Sequence, residues 1–78
     1  MGAFICSDGR ELYSLKDLAL SLDDMDDGVF MHHVNEEKND FEPWVQEMGE
    51  VDAAGLISNV TDKKDMAYRI MKVLVERM

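Results

Sequence analysis

Apolar residues recur along most of this chain at the spacing i, i+3, i+4 and i+7, which places them on one face of an α-helix and favours a mainly α fold. The first set begins at Leu15, and residues that cap helix N-termini, such as Ser14, Asp26 and Asn39, stand at the start of the periodic segments. The pattern predicts helices over about 14–23, 27–35, 40–48, 52–59 and 62–77. We expect a short N-terminal β-hairpin followed by a compact bundle of about four helices, with segment 52–59, weakened by Gly55, as the least well-defined.

The N-terminal segment FICSDGRELY predicts a β-hairpin over residues 3–13. Residues that favour strands stand on both sides of Asp8-Gly9, a preferred centre for a two-residue type I′ turn. Such a turn would place Ile5 opposite Leu12 and Phe4 opposite Tyr13. Because a two-stranded hairpin is marginally stable alone, one of its faces must rest on the helices.

Length and charge restrict the classes of function. The chain has 78 residues, enough for a single small globular domain with one core. Its 17 acidic and 8 basic residues give a net charge of −9, which repels nucleic-acid phosphates and anionic lipids and argues against binding to nucleic acid or membrane. A single cysteine, no secretory signal and no apolar run of roughly 20 residues predict a cytoplasmic protein.

The stretch HHVNEEKNDFEPWV, residues 32–45, concentrates polar and aromatic side chains at a predicted helix junction. In the structural interpretation Phe30, Phe41 and Trp44 form an aromatic centre, His33 hydrogen-bonds a loop group beside it, and Asn39 or Asp40 caps the third helix. The alternative is a metal site, because His32 with Glu36 or His33 with Glu37 would share one face of a continuous helix. No third histidine or paired cysteine completes a zinc shell, so we expect no metal and no other cofactor.

Catalytic motifs are also weak. Cys6 and His33 could be drawn as a nucleophile and its base, but Cys6 lies in a predicted strand, where a lone cysteine usually acts as a small hydrophobic residue. The acidic loop at residues 23–27 lacks the spacing of a calcium loop, and the chain has no glycine-rich phosphate loop. We therefore expect no enzymatic activity.

The order of a hairpin Asp-Gly, a Ser-Leu-Lys-Asp-Leu helix start, Phe30-x-x-His33 and then Asn39-Asp40-Phe41 with Trp44 resembles a family of short uncharacterised domains found in archaea and bacteria. The likeness covers most of the chain and is loose after Gly49. It implies a compact, mostly helical unit and carries no established activity.

Two functional hypotheses follow. The first is a non-catalytic module or adaptor for protein–protein interaction, because the seven methionines suit adaptable contact surfaces or, alternatively, fill the core. The last helix has so wide an apolar arc that it must lie centrally or contact a second copy or another protein. The candidate partner surface is Met66, Ile70, Val73, Leu74 and Val75. The second hypothesis is a sensory domain that binds a small ligand or metal at His33, Asn39, Asp40 and Trp44, which requires that cluster to be open to solvent.

Overall fold

The computed structural model describes residues 2–78 and confirms a mainly α fold with a short N-terminal hairpin. Within these residues a helix forms in each of the five predicted segments, and the short fourth segment is helical from Val51 to Ile57 despite Gly55. The elements are β1 (Phe4–Ile5), β2 (Glu11–Leu12), α1 (Leu15–Asp24), α2 (Asp27–His33), α3 (Phe41–Glu47), α4 (Val51–Ile57) and α5 (Lys63–Glu76). In the described part of the chain no helix combines the length and apolar character needed to cross a bilayer.

The hairpin forms, but the predicted register was wrong by one residue. Phe4 lies opposite Leu12 and Ile5 opposite Glu11. The Gly9 N–H donates to the Cys6 carbonyl at 2.9 Å and the Cys6 N–H to the carbonyl of Arg10 at 2.8 Å, so the loop has three residues. A type I′ turn needs positive φ at both central residues, whereas among the described residues only glycines adopt positive φ, and here Gly9 does so alone at +91°.

This register decides which side of the hairpin meets the helices. Residues directly opposite each other point to the same face, and side chains alternate along a strand. Leu12 and Cys6 are buried and Phe4 is half-buried, whereas Ile5 is exposed on the outer face. The hairpin therefore covers the helices with Phe4, Cys6 and Leu12.

The residue directly before the helix caps α1, α2 and α5 with its side chain. Ser14 Oγ accepts a hydrogen bond from the Asp17 N–H at the start of α1, and Asp26 Oδ1 does the same for the Gly28 N–H at α2. Asp62 Oδ2 accepts from the Asp65 N–H at α5. Each bond satisfies an amide that has no partner within its helix, which explains why the helices start close to the predicted positions.

The core lies between α1, α5 and the α3–α4 pair, with the inner face of the hairpin over one side. Its largest fully buried side chains are Leu12, Leu18, Leu22, Met25, Val34, Phe41, Val45, Ile57, Met66 and Ile70. On α4, Ala53, Ala54 and Ile57 are buried, whereas Leu56 is 41% exposed.

Replacing Gly9 of the hairpin turn and Gly55 of α4 by alanine should change the free energy of unfolding in opposite directions. Gly9→Ala forces a side chain into the left-handed region and should cost about 1–2 kcal/mol. Gly55 lies within a helix, and a Cβ there meets nothing within 4 Å, so Gly55→Ala should stabilise by about 0.5–1 kcal/mol. Urea melts should show a lower midpoint for the first variant and a higher one for the second. An unchanged midpoint for Gly9→Ala would contradict the three-residue loop.

Candidate functional site

The imidazole of His33, the last residue of α2, is buried and has hydrogen-bond partners on both nitrogens. The backbone N–H of Ser7 donates to Nε2 at 2.9 Å. Because a backbone amide can only donate, Nε2 must carry a lone pair, and the proton of the neutral ring then lies on Nδ1. Nδ1 donates it to Asp40 Oδ2 at 3.0 Å.

A tight reversal after α2 brings Asp40 to this ring. Val34 and Asn39 form an antiparallel bridge, and the Asn35 N–H donates to the Lys38 carbonyl at 2.9 Å. The Asp40 N–H then donates to the carbonyl of His33 itself at 2.8 Å. The chain therefore does not continue as a helix past His33, and the helical pairing of His33 with Glu37 needed for the metal hypothesis does not form.

Asp40 is held as a carboxylate. Burial raises the pKa of its side chain, but hydrogen bonds from His33 and from Lys38, whose Nζ lies 3.1 Å from Oδ2, outweigh burial and leave that pKa below its ordinary value. The carboxylate thus acts as an acceptor for both neighbours.

Both polar atoms of the Asn39 side chain bond the backbone. Its Oδ1 accepts from the backbone N–H groups of Phe41 and Glu42, both at 3.1 Å, and so caps α3. Its Nδ2 donates to the carbonyl of Ile57 at 2.9 Å, at the end of α4. Of the two predicted caps, Asn39 makes the bonds and Asp40 makes none.

The aromatic centre has one member that the sequence interpretation missed. Phe41 is fully buried, and its ring centroid lies 4.8 Å from that of Phe4 and 5.5 Å from that of His33. Phe4 also meets the His33 ring edge-on at 5.1 Å. Phe30 is buried but joins no ring pair in residues 2–78, so its assignment to this centre was wrong. Alternation along β1, with Cys6 and Phe4 on one face, is the signal that could have indicated Phe4.

Trp44 stands at the edge of the centre. Its ring centroid is 5.6 Å from that of Phe4, and its indole Nε1 donates to the Gly2 carbonyl at 3.2 Å. On α3, Phe41 and Val45 are buried, whereas Trp44 and Met48 are half-buried.

The chemistry open to this cluster is limited. In residues 2–78 no group of three or more histidine, cysteine, aspartate or glutamate side chains is arranged to hold a metal ion. Burial, followed by the negative charge of Asp8, raises the pKa of the Cys6 thiol and keeps it protonated. His33 can accept a proton at Nε2 only by giving up its bond to Ser7.

The predicted partner surface on α5 divides into buried and exposed parts. Met66 and Ile70 lie in the core, because α5 packs against both α1 and α4, so their assignment to a partner surface was wrong. Val73 and Leu74 are half-buried, and Val75 is 58% exposed. Tyr68 and Met71, which the candidate surface omitted, are 66% and 44% exposed. We call Tyr68, Met71 and Val75 the outer stripe of α5.

Comparison with family models, with curated proteins and with solved structures gave no significant match to this chain.

The two adjacent histidines should differ sharply in their contribution to stability. His33→Ala removes a buried ring and leaves the Ser7 N–H without its partner, so it should cost about 1–3 kcal/mol. His32 is exposed, and His32→Ala should change the free energy of unfolding by less than about 0.5 kcal/mol. Urea melts of both variants measure this difference, and equal midpoints would rule out the structural role of His33.

Proposed function

We propose that this protein is a non-catalytic module or adaptor for protein–protein interaction and that the outer stripe of α5 is its contact surface. The main support is exposure: the side chains of Tyr68, Met71 and Val75 are 44–66% exposed and lie along one side of α5, whose other side is in the core. Contiguous apolar surface of this kind marks interaction sites more often than scattered exposed residues do.

The anchoring of α5 supports this role. Arg77 makes two hydrogen bonds of 2.7 and 2.6 Å to the carboxylate of Glu50, which fix the C-terminal end of the helix. These bonds lower the pKa of Glu50, although its partial burial opposes the shift. At the other end Lys63 donates to the Met25 carbonyl and pairs with Asp27 at 2.8 Å. A helix held at both ends presents its outer face in a fixed orientation, which reduces the entropy lost on binding.

The sensory alternative requires an open polar pocket at His33, Asn39, Asp40 and Trp44. His33 is 6% exposed, and both of its ring nitrogens are hydrogen-bonded. The side-chain amide of Asn39 makes hydrogen bonds to three backbone groups. These features favour a structural role for the cluster and an interaction role for the protein. Both catalytic candidates, Cys6 and His33, are buried, which supports a function without chemistry.

The charge of the chain supports a protein partner. At a net charge of −9, nucleic acid and anionic lipid are poor partners, because their phosphates would be repelled. We further propose a cytoplasmic location, which suits a chain whose one cysteine is an unpaired thiol.

Two matched charge substitutions test the surface. Val75→Lys places a charge in the outer stripe, and Leu20→Lys places the same charge at an equally exposed position on α1. Because both side chains are exposed, each variant should keep its stability within about 0.5 kcal/mol. Tagged wild type and Leu20→Lys should capture the same proteins from an extract of the cells that make this chain, including untagged copies of the chain itself. Val75→Lys should lose them, and an identical set for all three baits would contradict the proposal.

A further inference from the structure

The outer stripe has the spacing of a coiled-coil seam. Tyr68, Met71 and Val75 are separated by three and then four residues, and Met78 follows after three more. Apolar residues at alternating intervals of three and four occupy positions a and d of a heptad, the positions that meet a second helix. All four side chains are exposed; Tyr68, Met71 and Val75 lie within α5, and Met78 follows two residues after its last helical residue, so the seam is uncovered in the structure.

Building on the proposed interaction role, we infer that the outer stripe binds the same stripe of a second copy of this chain, with the two α5 helices antiparallel about a two-fold axis. Antiparallel helices pair position a of one with position d of the other. Centred on residue 73, this register packs Met71 of each copy against Val75 of the other, and Tyr68 of each against Met78 of the other. Each contact occurs twice, as a closed two-fold interface requires.

The charged flank of α5 selects this orientation. Asp65, Arg69, Lys72 and Glu76 lie along one side of the seam, and a two-fold axis brings that side of both helices together. In the antiparallel register Glu76 of the second copy is level with residue 70, between Arg69 and Lys72. In a parallel pair in register the two-fold axis runs along the helices, so the charged flank of each helix lies beside the opposite flank of the other, which carries Ala67 and Leu74. The opposite charges of the two flanks therefore meet only in the antiparallel pair.

The size of the seam sets the strength of the association. Four side chains per copy cover less than the roughly 1,200 Å² of total buried area typical of stable complexes, so the dimer forms reversibly and depends on concentration. Two chains of charge −9 repel each other at long range, and about 0.15 M salt screens that repulsion beyond about 8 Å. Association is therefore to be measured at such a salt concentration.

Sedimentation equilibrium over a series of protein concentrations tests the inference. The apparent mass of wild type should rise from 8.9 kDa towards twice that value. The double variant M71E/V75E places two glutamates against each other across the axis, twice, and should stay at 8.9 kDa at every concentration. The matched variant M71K/V75E places each introduced lysine against the introduced glutamate of the other copy and should recover the rise in mass. Leu20→Glu, on α1, should behave as wild type. Helical circular dichroism verifies that all four proteins are folded.

Three outcomes overturn the inference: a wild type that remains monomeric, an M71E/V75E protein that dimerises as wild type does, or an M71K/V75E protein that remains monomeric. A monomeric M71K/V75E protein together with a dimeric wild type indicates a parallel pair. In that orientation position 71 meets position 71 and position 75 meets position 75, so the variant would oppose lysine to lysine and glutamate to glutamate. A monomeric wild type whose captured protein is lost on Val75→Lys overturns self-association alone and leaves the interaction role standing. Capture that is unaffected by Val75→Lys removes the interaction role from this surface as well.

Discussion

The imidazole of His33 connects parts of the chain that are far apart in sequence. Its Nε2 accepts the N–H of Ser7 in the hairpin turn, its Nδ1 donates to Asp40 before α3, and its ring packs against those of Phe4 and Phe41. Strands of two residues cannot hold a hairpin in place, and a buried ring nitrogen without a partner would be costly. The hydrogen bond between Ser7 and His33 solves both problems. The turn supplies the donor that the ring nitrogen needs, and the ring fixes the turn over the helices.

This arrangement separates the conspicuous sequence motif from the proposed contact surface on α5. The side chains of His33, Asn39 and Asp40 bond one another, Lys38 or nearby backbone groups, and among the described residues no buried side-chain polar atom lacks a partner. A ligand would have to displace bonds that the fold uses. The outer stripe of α5 has no such role, since Met66 and Ile70 on the opposite side of that helix already supply its core contacts. The residues left over by folding, rather than the motif, are the ones available for recognition.

Local signals predicted the helices well and long-range arrangement poorly. Ser14, Asp26 and Asn39 cap helices as their positions indicated, because capping depends on residues within one turn. The hairpin register depended on whether Asp8 shares positive φ with Gly9, which the sequence leaves open, and that register in turn brought Phe4 to the aromatic centre. Periodicity defines the apolar face of α3 and α5 but not how far neighbouring elements cover it. Trp44, which was assigned to the aromatic centre, is therefore only half-buried. Met66 and Ile70, which were assigned to a partner surface, lie in the core.

His33 holds the hairpin turn by accepting the Ser7 N–H at Nε2, and this role is tested most directly by the position of the proton on its ring. Nitrogen-15 NMR at neutral to mildly alkaline pH distinguishes a protonated ring nitrogen from one with a free lone pair. We predict that Nδ1 is protonated, that Nε2 is not, and that the Ser7 amide shows slow hydrogen exchange and a coupling across the hydrogen bond to Nε2. A ring protonated at Nε2 alone, with a freely exchanging Ser7 amide, would rule out this role of His33, because Nε2 would then have no lone pair to accept the Ser7 N–H.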